Sequence, residues 1–323
     1  MVNHYYKYNE QDLHDLQQVQ LGMLRDFDAI CREHDIPYFL LFGTALGAVR
    51  HGGFIPWDDD VDIGMMRSDY KRLKQVFLEH GNDINSLMTI EPSDNVPYYE
   101  NIFPRIYKKG TIFHSEWSET YLPPLKEKQG VWLDLFLFDF VDSPETAQRI
   151  EEKSFALHRR YFYRKFNLRL RRSVGLTANL KTLVKKVLHL HTKLHWTTDN
   201  ILNDYYSLVS SQKSGDYIVS YDSWEKSDVL RTVMRYEDYF PPKEISFCGE
   251  NLLIMNRYDR HLTQVYGDYM QLPPEDKRVN HPPYILDLND GKGNRIAAGR
   301  PDGTQTTETT DKGELHDADK KTV

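Results

Sequence analysis

The chain has 323 residues, of which 40% are hydrophobic and 28% are charged, a composition typical of a folded globular protein rather than a collagen-like or fully disordered one. No uncharged apolar run approaches the roughly 18 residues of a membrane span, and the N-terminus lacks the apolar core of a secretion signal, so we expect neither. Two cysteines, Cys31 and Cys248, are too few for a disulfide framework or a cysteine-built zinc site, which favours a reducing, cytoplasmic compartment.

The formal net charge of −7 hides a strong asymmetry along the chain. Residues 153–198 contain twelve Lys or Arg and no Asp or Glu, so the remaining residues carry −19. The sequence therefore predicts an acidic body with one basic segment.

The N-terminal third predicts two helices and two strands in alternation. Residues 11–34 place apolar side chains at helical spacing, and residues 38–42 form the continuous apolar run of a buried strand. Gly43-Thr44 ends that strand before a short helix at 45–49. A second strand is predicted at 61–65.

Further elements follow in the same way. A third helix is predicted to be capped by Ser68 or Asp69 and to run to about Glu79. Residues 131–137 predict a strand with one charge, Asp134. Ser143-Pro144-Glu145 has the features of a helix start, and that helix leads into the basic segment.

The basic segment is predicted to be helical with a break at Gly175. Residues 217–275 predict short strands, turns and a helix from about Tyr258 to Tyr266, ended by Gly267. After Leu288 the chain has no aromatic residue and few large apolar ones, so a disordered tail is expected. The predicted organisation is a catalytic core at 1–142, a basic helical elaboration at 143–215, the C-terminal part of the catalytic domain at 216–288 and the tail at 289–323.

Four carboxylates lie within the five positions 58–62. If a strand begins at residue 60, Asp60 and Asp62 point to one face while Val61 and Ile63 face the core. Two carboxylates about 4 Å apart repel by roughly 4 kcal/mol at an effective dielectric near 20, and a divalent cation removes that repulsion. All-oxygen ligands favour Mg²⁺, with Mn²⁺ second, and Asp134 is the third ligand we would recruit.

Simpler explanations exist for each of these acids. A lone Asp-x-Asp is usually a solvated turn, and an isolated Asp in an apolar strand often caps a helix or pairs with an arginine. The ordered combination is more specific. A strand, a Gly-Thr at a helix start, an Asp-x-Asp strand and a later Asp on another strand resemble the nucleotidyltransferase superfamily.

The resemblance implies an α/β (α+β) fold with a DNA polymerase beta-like core, a mixed sheet and an added helical region. Residues 43–51 and 53–64 resemble more closely the signature of the LicD family, phosphotransferases of bacterial surface glycans to which the fukutin-related ribitol-phosphate transferases are distantly related. The resemblance extends over about residues 11–282. Shorter stretches that fit the family are 105–107, 130–134, 239–242 and 266–270.

The family resemblance implies a transferase that moves a phospho-alcohol, phosphocholine above all, from a CDP-linked donor to a sugar hydroxyl of a cell-surface glycan and releases CMP. Asp60, Asp62 and Asp134 would be the catalytic and metal-binding acids, and Asp134 could also take the hydroxyl proton. Residues that would contact the donor are Gly43, Thr44, Arg50, His51, Trp57, Asp58 and Arg105.

Several of these assignments have structural alternatives. Arg50 and His51 also fit a solvent-facing turn, and Arg105 also fits a structural partner for one of the acids. Asp58, and less so Asp59, would orient metal ligands rather than bind the metal. His281 is a weaker candidate, because a lone histidine is more often structural.

Two other functions use the same features. A nucleotidyltransferase would move a nucleoside monophosphate from an NTP with the same acids and would release pyrophosphate. A non-catalytic scaffold would use the basic segment at a membrane. An intact set of Asp60, Asp62 and Asp134 argues against the scaffold, because it retains an electrostatic cost without a use.

The basic segment 153–198 allows three interpretations. It contacts an anionic membrane surface peripherally, it holds an anionic glycan or lipid-linked acceptor, or it is a solvated face that complements the acidic body. We favour the membrane or the lipid-linked acceptor. Nucleic acid is not expected as a partner, because no recognised binding module accompanies the patch.

Overall fold

A mixed β-sheet carries the residues singled out above. The computed structural model describes residues 8–92, 99, 101–115, 129–165, 176–222, 229–281 and 283–293. Within these ranges the helices are α1 (Glu10–Glu33), α2 (Phe42–His51), α3 (Arg67–Glu79), α4 (Pro144–Lys165), α5 (Leu176–His195), α6 (Thr198–Val209), α7 (Val229–Thr232), α8 (Tyr236–Tyr239) and α9 (Tyr258–Tyr266). No described helix combines the length and apolarity needed to cross a membrane.

The strands form one large sheet and one small one. They are β1 (Phe39–Leu40), β2 (Asp62–Met66), β3 (Leu87–Ile90), β4 (Arg105–Lys108), β5 (Ile112–Ser115), β6 (Trp132–Val141), β7 (Tyr217–Ser220), β8 (Met234–Arg235), β9 (Lys243–Phe247), β10 (Glu250–Ile254) and β11 (Pro283–Asp287). Over the described residues the large sheet runs β3-β4-β6-β2-β1-β10-β9, β7 also pairs with β6 and with β8, and β5 pairs separately with β11. The pairs β2–β6 and β1–β10 are parallel, and the other pairs are antiparallel.

The centre of the sheet is closely packed around Phe39. Gly64 of β2 lies opposite Phe39 in the antiparallel pairing with β1, and a side chain at Gly64 would collide with the Phe39 ring. Phe39 also packs edge-on against Phe138 of β6, at a centroid distance of 5.3 Å. The main hydrophobic core therefore lies around the strands that carry the acids.

A second hydrophobic core joins α4 and α6 to β7, and a buried ion pair connects it to the sheet. Arg67, at the start of α3, donates through both Nε and Nη2 to Asp139 of β6, at 2.7 Å for the shorter contact to Oδ2. Asp222 lies nearby, where it accepts hydrogen bonds from the Tyr205 hydroxyl (2.7 Å) and from the Leu137 N–H (2.8 Å). Burial raises the pKa of both carboxyls, Asp139 and Asp222, and the Arg67 charge opposes that rise.

The observed elements confirm most of the predicted ones. Helix α1, the strand that contains Asp134 and the helix from Tyr258 to Tyr266 are present, and Gly267 ends the last of these with φ +68°. The Ser143 hydroxyl accepts a hydrogen bond from the Thr146 N–H at 3.2 Å, as expected at the start of α4. The predicted helix break at Gly175 and most of the predicted tail, residues 294–323, lie outside the described residues. Within the described start of the tail, Lys292 forms an ion pair with Asp15 at 2.9 Å.

Three predicted boundaries are wrong for identifiable reasons. The first strand covers only two residues of the predicted 38–42, because Phe42 adopts φ +41° and begins α2. Helix α3 begins at Arg67 without a side-chain cap, and neither Ser68 nor Asp69 caps it, because the Arg67–Asp139 contact fixes its start. Strand β6 continues to Val141, because Arg67 neutralises Asp139.

Arg67→Ala is expected to lower the free energy of unfolding by about 3–5 kcal/mol, because it leaves Asp139 buried without its counter-charge. Urea denaturation at neutral pH measures this change. The matched control is Arg25→Ala, which removes an exposed ion pair with Glu250 and should cost less than about 1 kcal/mol. Equal losses in the two variants would contradict the structural role of the Arg67–Asp139 pair.

Candidate active site

The parallel pairing of β2 with β6 brings two of the predicted acids together. Asp62, the first residue of β2, lies opposite Asp134 in the register. Val61 and Ile63 are fully buried while Asp60 and Asp62 are half-buried, so the predicted alternation holds. The strand itself begins at Asp62 rather than at residue 60, and Asp60 lies in the segment just before it.

The carboxyls of this segment raise one another's pKa values. Burial, followed by the charges of Asp60 and Asp59, raises the pKa of Asp58. Burial and then Asp59 raise the pKa of Asp60 to about 6, and burial and then the charges of Asp60 and Asp134 raise that of Asp62. The site therefore brings together carboxyl groups that are harder to ionise than isolated ones, and the charges of His281 and Arg105 offset this effect only in part at Asp60 and Asp62.

The beginning of α2 lies directly against this acidic segment. A Cβ atom at Gly43 would lie 2.9 Å from Oδ2 of Asp58, so the missing side chain makes room for that carboxyl. The buried Thr44 hydroxyl accepts a hydrogen bond from the Asp62 N–H at 2.9 Å, which fixes the start of β2 to the helix. Since Leu41 provides no side-chain cap, the positive end of the α2 dipole faces the site without a capping group from that residue.

Asp134 is held on both of its oxygens. Arg105 Nε donates to Oδ1 at 2.5 Å, and Trp132 Nε1 donates to Oδ2 at 3.0 Å. The Arg105 guanidinium carbon lies 4.1 Å from the centroid of the Trp132 ring, so the cation is fixed by both partners. Arg105 thus pairs with one of the acids, as the sequence allowed, and its contact with the donor stays a prediction.

The donor set suits a hard cation, although the arrangement is not that of a complete metal site. Within the described ranges, no three His, Cys, Asp or Glu side chains are placed to bind one ion. Asp60 and Asp62 offer carboxyl groups whose pKa values are raised by burial and by neighbouring carboxylates, while Asp134 is engaged by Arg105 and Trp132. The oxygen-rich chemistry fits Mg²⁺ or Mn²⁺, and the ligand role of the three acids stays a prediction.

The predicted basic residues Arg50 and His51 lie on the rim of the site. Arg50 Nη1 donates to the carbonyl oxygens of Tyr269 (2.8 Å) and Gln271 (3.4 Å), and Arg50 Nε donates to His51 Nε2 (3.0 Å). Arg50 therefore fixes the loop that follows α9. Burial and the Arg50 charge lower the pKa of His51, so the ring is neutral at neutral pH.

The Trp57 ring lies on the same rim, in contact with His51 and Arg278. His51 meets its ring edge-on at a centroid distance of 6.4 Å, and the Arg278 guanidinium carbon lies 4.8 Å from the centroid. One face of Trp57 is therefore already occupied by a cation.

The structure adds residues that sequence reasoning did not select. Burial, followed by the negative charges of Asp62, Asp58 and Asp60, raises the pKa of the Tyr266 hydroxyl, so Tyr266 is within electrostatic range of the acids. Tyr266 begins a stretch that resembles the family, which was a usable signal. No sequence signal pointed to Arg278, because its contact with Trp57 joins residues separated by about two thirds of the chain.

Asp59 differs from its neighbours, because it connects distant parts of the chain. It is buried and accepts hydrogen bonds from the Tyr8 hydroxyl (3.0 Å) and the His281 N–H (2.8 Å). Its carbonyl accepts a further bond from Gln20 at 2.8 Å. Asp59 thus joins the N-terminal segment, α1 and the segment before β11 at the base of the site.

Comparison with known proteins places this site in a family. A family model described as "LicD/FKTN/FKRP, nucleotidyltransferase domain" matches residues 35–171. Lipopolysaccharide cholinephosphotransferase LicD of Haemophilus influenzae is 31% identical over 275 residues, which cover 83% of this chain and 95% of the relative. The chain belongs to the LicD family.

More distant relatives match this chain only over a short segment. Ribitol 5-phosphate transferase FKRP of human and of mouse is 46% identical over 41 residues, which cover 13% of this chain and 8% of that protein. The relation to fukutin-related transferases predicted from the motifs is thereby confirmed.

Asp60→Asn is expected to raise the free energy of unfolding at about pH 7 by about 1–3 kcal/mol in the presence of a chelator. The folded pKa of about 6 lies above the ordinary value of 3.8, so an ionised Asp60 opposes folding above pH 6. The gain should shrink as the pH falls from 6 towards 4, where the folded protein takes up the proton.

Urea denaturation across this pH range, with the exposed Asp276→Asn as the matched control, measures the difference. The control should change stability little at any of these pH values. A loss of stability in Asp60→Asn at pH 7 would contradict the repulsion inferred for the site.

Proposed function

We propose that this protein transfers a phospho-alcohol group, phosphocholine first, from a CDP-linked donor to a sugar hydroxyl of a cell-surface glycan and releases CMP. The observation that carries the proposal is the pairing of Asp62 with Asp134 across β2 and β6, with Asp58 and Asp60 at the start of the strand. Family membership supports it, because the relative from Haemophilus influenzae is named a lipopolysaccharide cholinephosphotransferase. The enzyme class is that of a transferase of phosphorus-containing groups.

The proposed reaction is an in-line phosphoryl transfer. The sugar oxygen forms a bond to the phosphorus that carries the alcohol, and the bond from that phosphorus to the bridging oxygen breaks. CMP leaves with the electron pair, and the hydroxyl proton passes to a carboxylate or to water. Such a reaction depends on positioning and on charge stabilisation at the transferring oxygens.

The acids would fill two roles in this reaction. Asp60, Asp62 and Asp134 would hold Mg²⁺, or Mn²⁺, which when bound neutralises the pyrophosphate oxygens and the charge that develops on CMP. Asp134 keeps lone pairs beyond the bonds from Arg105 and Trp132, and there it would accept the hydroxyl proton. Asp58, two residues before Asp60, would orient that carboxylate.

The neighbouring residues would bind the donor. Gly43 and Thr44, at the positive end of α2, would approach a phosphate oxygen. Arg50 and His51 line the rim where the pyrophosphate would enter. Trp57 would receive the trimethylammonium group in exchange for the Arg278 cation, which lies 4.8 Å from the ring centroid, or on the opposite face of the ring.

We also propose how the enzyme is built and where it works. The mixed sheet would be a DNA polymerase beta-like nucleotidyltransferase core, in keeping with the description of the matching family model. The free cysteines Cys31 and Cys248 favour the cytoplasm, and the basic segment 153–198 favours peripheral contact with the anionic inner face of a membrane.

The second candidate function is transfer of a nucleoside monophosphate from an NTP. The family model favours it as an alternative, because its description names a nucleotidyltransferase domain. The products separate the two reactions, since this one releases pyrophosphate and the first releases CMP.

The direct test incubates the purified chain with CDP-choline, CDP-ethanolamine or CDP-ribitol and with each NTP, in Mg²⁺ or in chelator, with water taking the place of the sugar hydroxyl as acceptor of the transferred group. We expect Mg²⁺-dependent CMP release that falls at least about 100-fold in Asp60→Asn and Asp62→Asn, because both variants weaken the charge stabilisation of the transferring group. Asp276→Asn should retain full activity. Full activity of either site variant, or pyrophosphate release from an NTP, would overturn the proposal; so would no turnover of any donor, which a scaffold predicts.

Trp57→Leu is expected to raise the KM for CDP-choline about tenfold, because it removes a cation–π contact from a partly desolvated site. The KM for CDP-ribitol should change much less, since a polyol carries no cation. Trp57→Phe is the matched control and should retain most of the selectivity. Equal changes for the two donors would show that Trp57 does not recognise the cationic alcohol.

A further inference from the structure

Helix α5 presents an apolar face to solvent. Its exposed apolar side chains are 41–72% accessible, and they are Leu180, Leu183, Val184, Val187, Leu188, Leu190 and Leu194. At about 100° per residue these positions fall within an arc of about 160°. No described side chain of α5 belongs to either hydrophobic core.

The helix packs against α4. Among the side chains of α5 that the structure describes, the buried one is polar, Thr192, whose hydroxyl donates to the Leu188 carbonyl at 2.8 Å. A helix on a globular protein normally turns its apolar stripe towards the core. Since α5 does the reverse, its apolar face marks an interaction surface.

Positive charge is concentrated in the same part of the chain as this apolar face. Residues 153–198 carry twelve cations and no acid, although Arg169, Arg171 and Arg172 lie outside the described residues. Arg159 and Arg160 are exposed on α4, and Lys193 is exposed on α5. The partner that covers the face must therefore be apolar within and anionic at its surface.

A second copy of the chain fits this description poorly. A two-fold contact would bring the same surface of both copies together, so the cationic segments would face each other. Like charges across an interface oppose association. An anionic bilayer, with phosphate groups above its acyl chains, matches both the apolar face and the cations in the same part of the chain.

We propose that α5 lies in the interfacial region of an anionic bilayer, with its apolar face among the acyl chains and the cations of residues 153–198 at the lipid headgroups. The inference deepens the membrane location proposed above by naming the helix and the face that make the contact. It does not depend on the transferase chemistry, since binding requires neither donor nor metal.

The test is co-sedimentation of the full chain with vesicles of phosphatidylcholine, alone or with roughly one third phosphatidylglycerol. Wild type should bind the anionic vesicles and bind neutral ones at least tenfold more weakly. The double variant Leu183→Gln/Val187→Gln should lose at least about tenfold in affinity, because it removes the apolar contacts. The matched control Leu78→Gln, which changes a 55% exposed leucine on α3, should bind like wild type.

Charge variants test the second half of the proposal. Removal of one exposed cation in Arg159→Gln should weaken binding about fivefold at low salt and less at high salt. Asp60→Asn should bind vesicles like wild type, which separates this result from failure of the proposed transfer reaction. Binding that ignores lipid charge, or a wild-type dimer that the Leu183→Gln/Val187→Gln variant dissociates, would overturn the proposal.

Discussion

The carboxylates held at the junction of β2 and β6 repel one another, and the rest of the structure must hold them together against this repulsion. Burial and neighbouring charge raise the pKa of Asp58, Asp60 and Asp62 together. A folded protein tolerates such a cluster only if the rest of the structure determines its geometry strongly. Removal of one charge should therefore stabilise the chain, which is the usual relation between stability and function at a catalytic site.

The surrounding contacts are arranged to hold the cluster in place. Gly43 leaves room for Asp58, and Thr44 binds the backbone where β2 begins. Arg105 pairs with Asp134, and its charge also opposes the rise in the pKa of Asp62. The buried Asp59 carboxylate accepts hydrogen bonds from the Tyr8 hydroxyl and the His281 N–H. Three of these contacts join segments far apart in the chain.

Local pattern explains what the sequence could predict. The alternation of Val61 and Ile63 with the acids identified the face of β2 correctly, and Ser143-Pro144 located the start of α4. Long-range contacts explain what it could not. The start of α3 depends on Arg67 reaching Asp139, and the role of Arg50 depends on carbonyl groups about 220 residues away. The exposed face of α5 also required the structure, because its apolar spacing alone is typical of a helix that packs inward.

The central claim is that these acids form a cation-dependent site for a nucleotide-linked donor. Isothermal titration of CMP into the chain, with Mg²⁺ and with chelator, tests it most directly because it requires neither the alcohol nor the acceptor. We predict that CMP binds with Mg²⁺, and that chelator or Asp62→Asn weakens binding at least about tenfold, in line with a lost charge-assisted contact. CMP binding of equal strength in wild type and Asp62→Asn, with or without Mg²⁺, would contradict it.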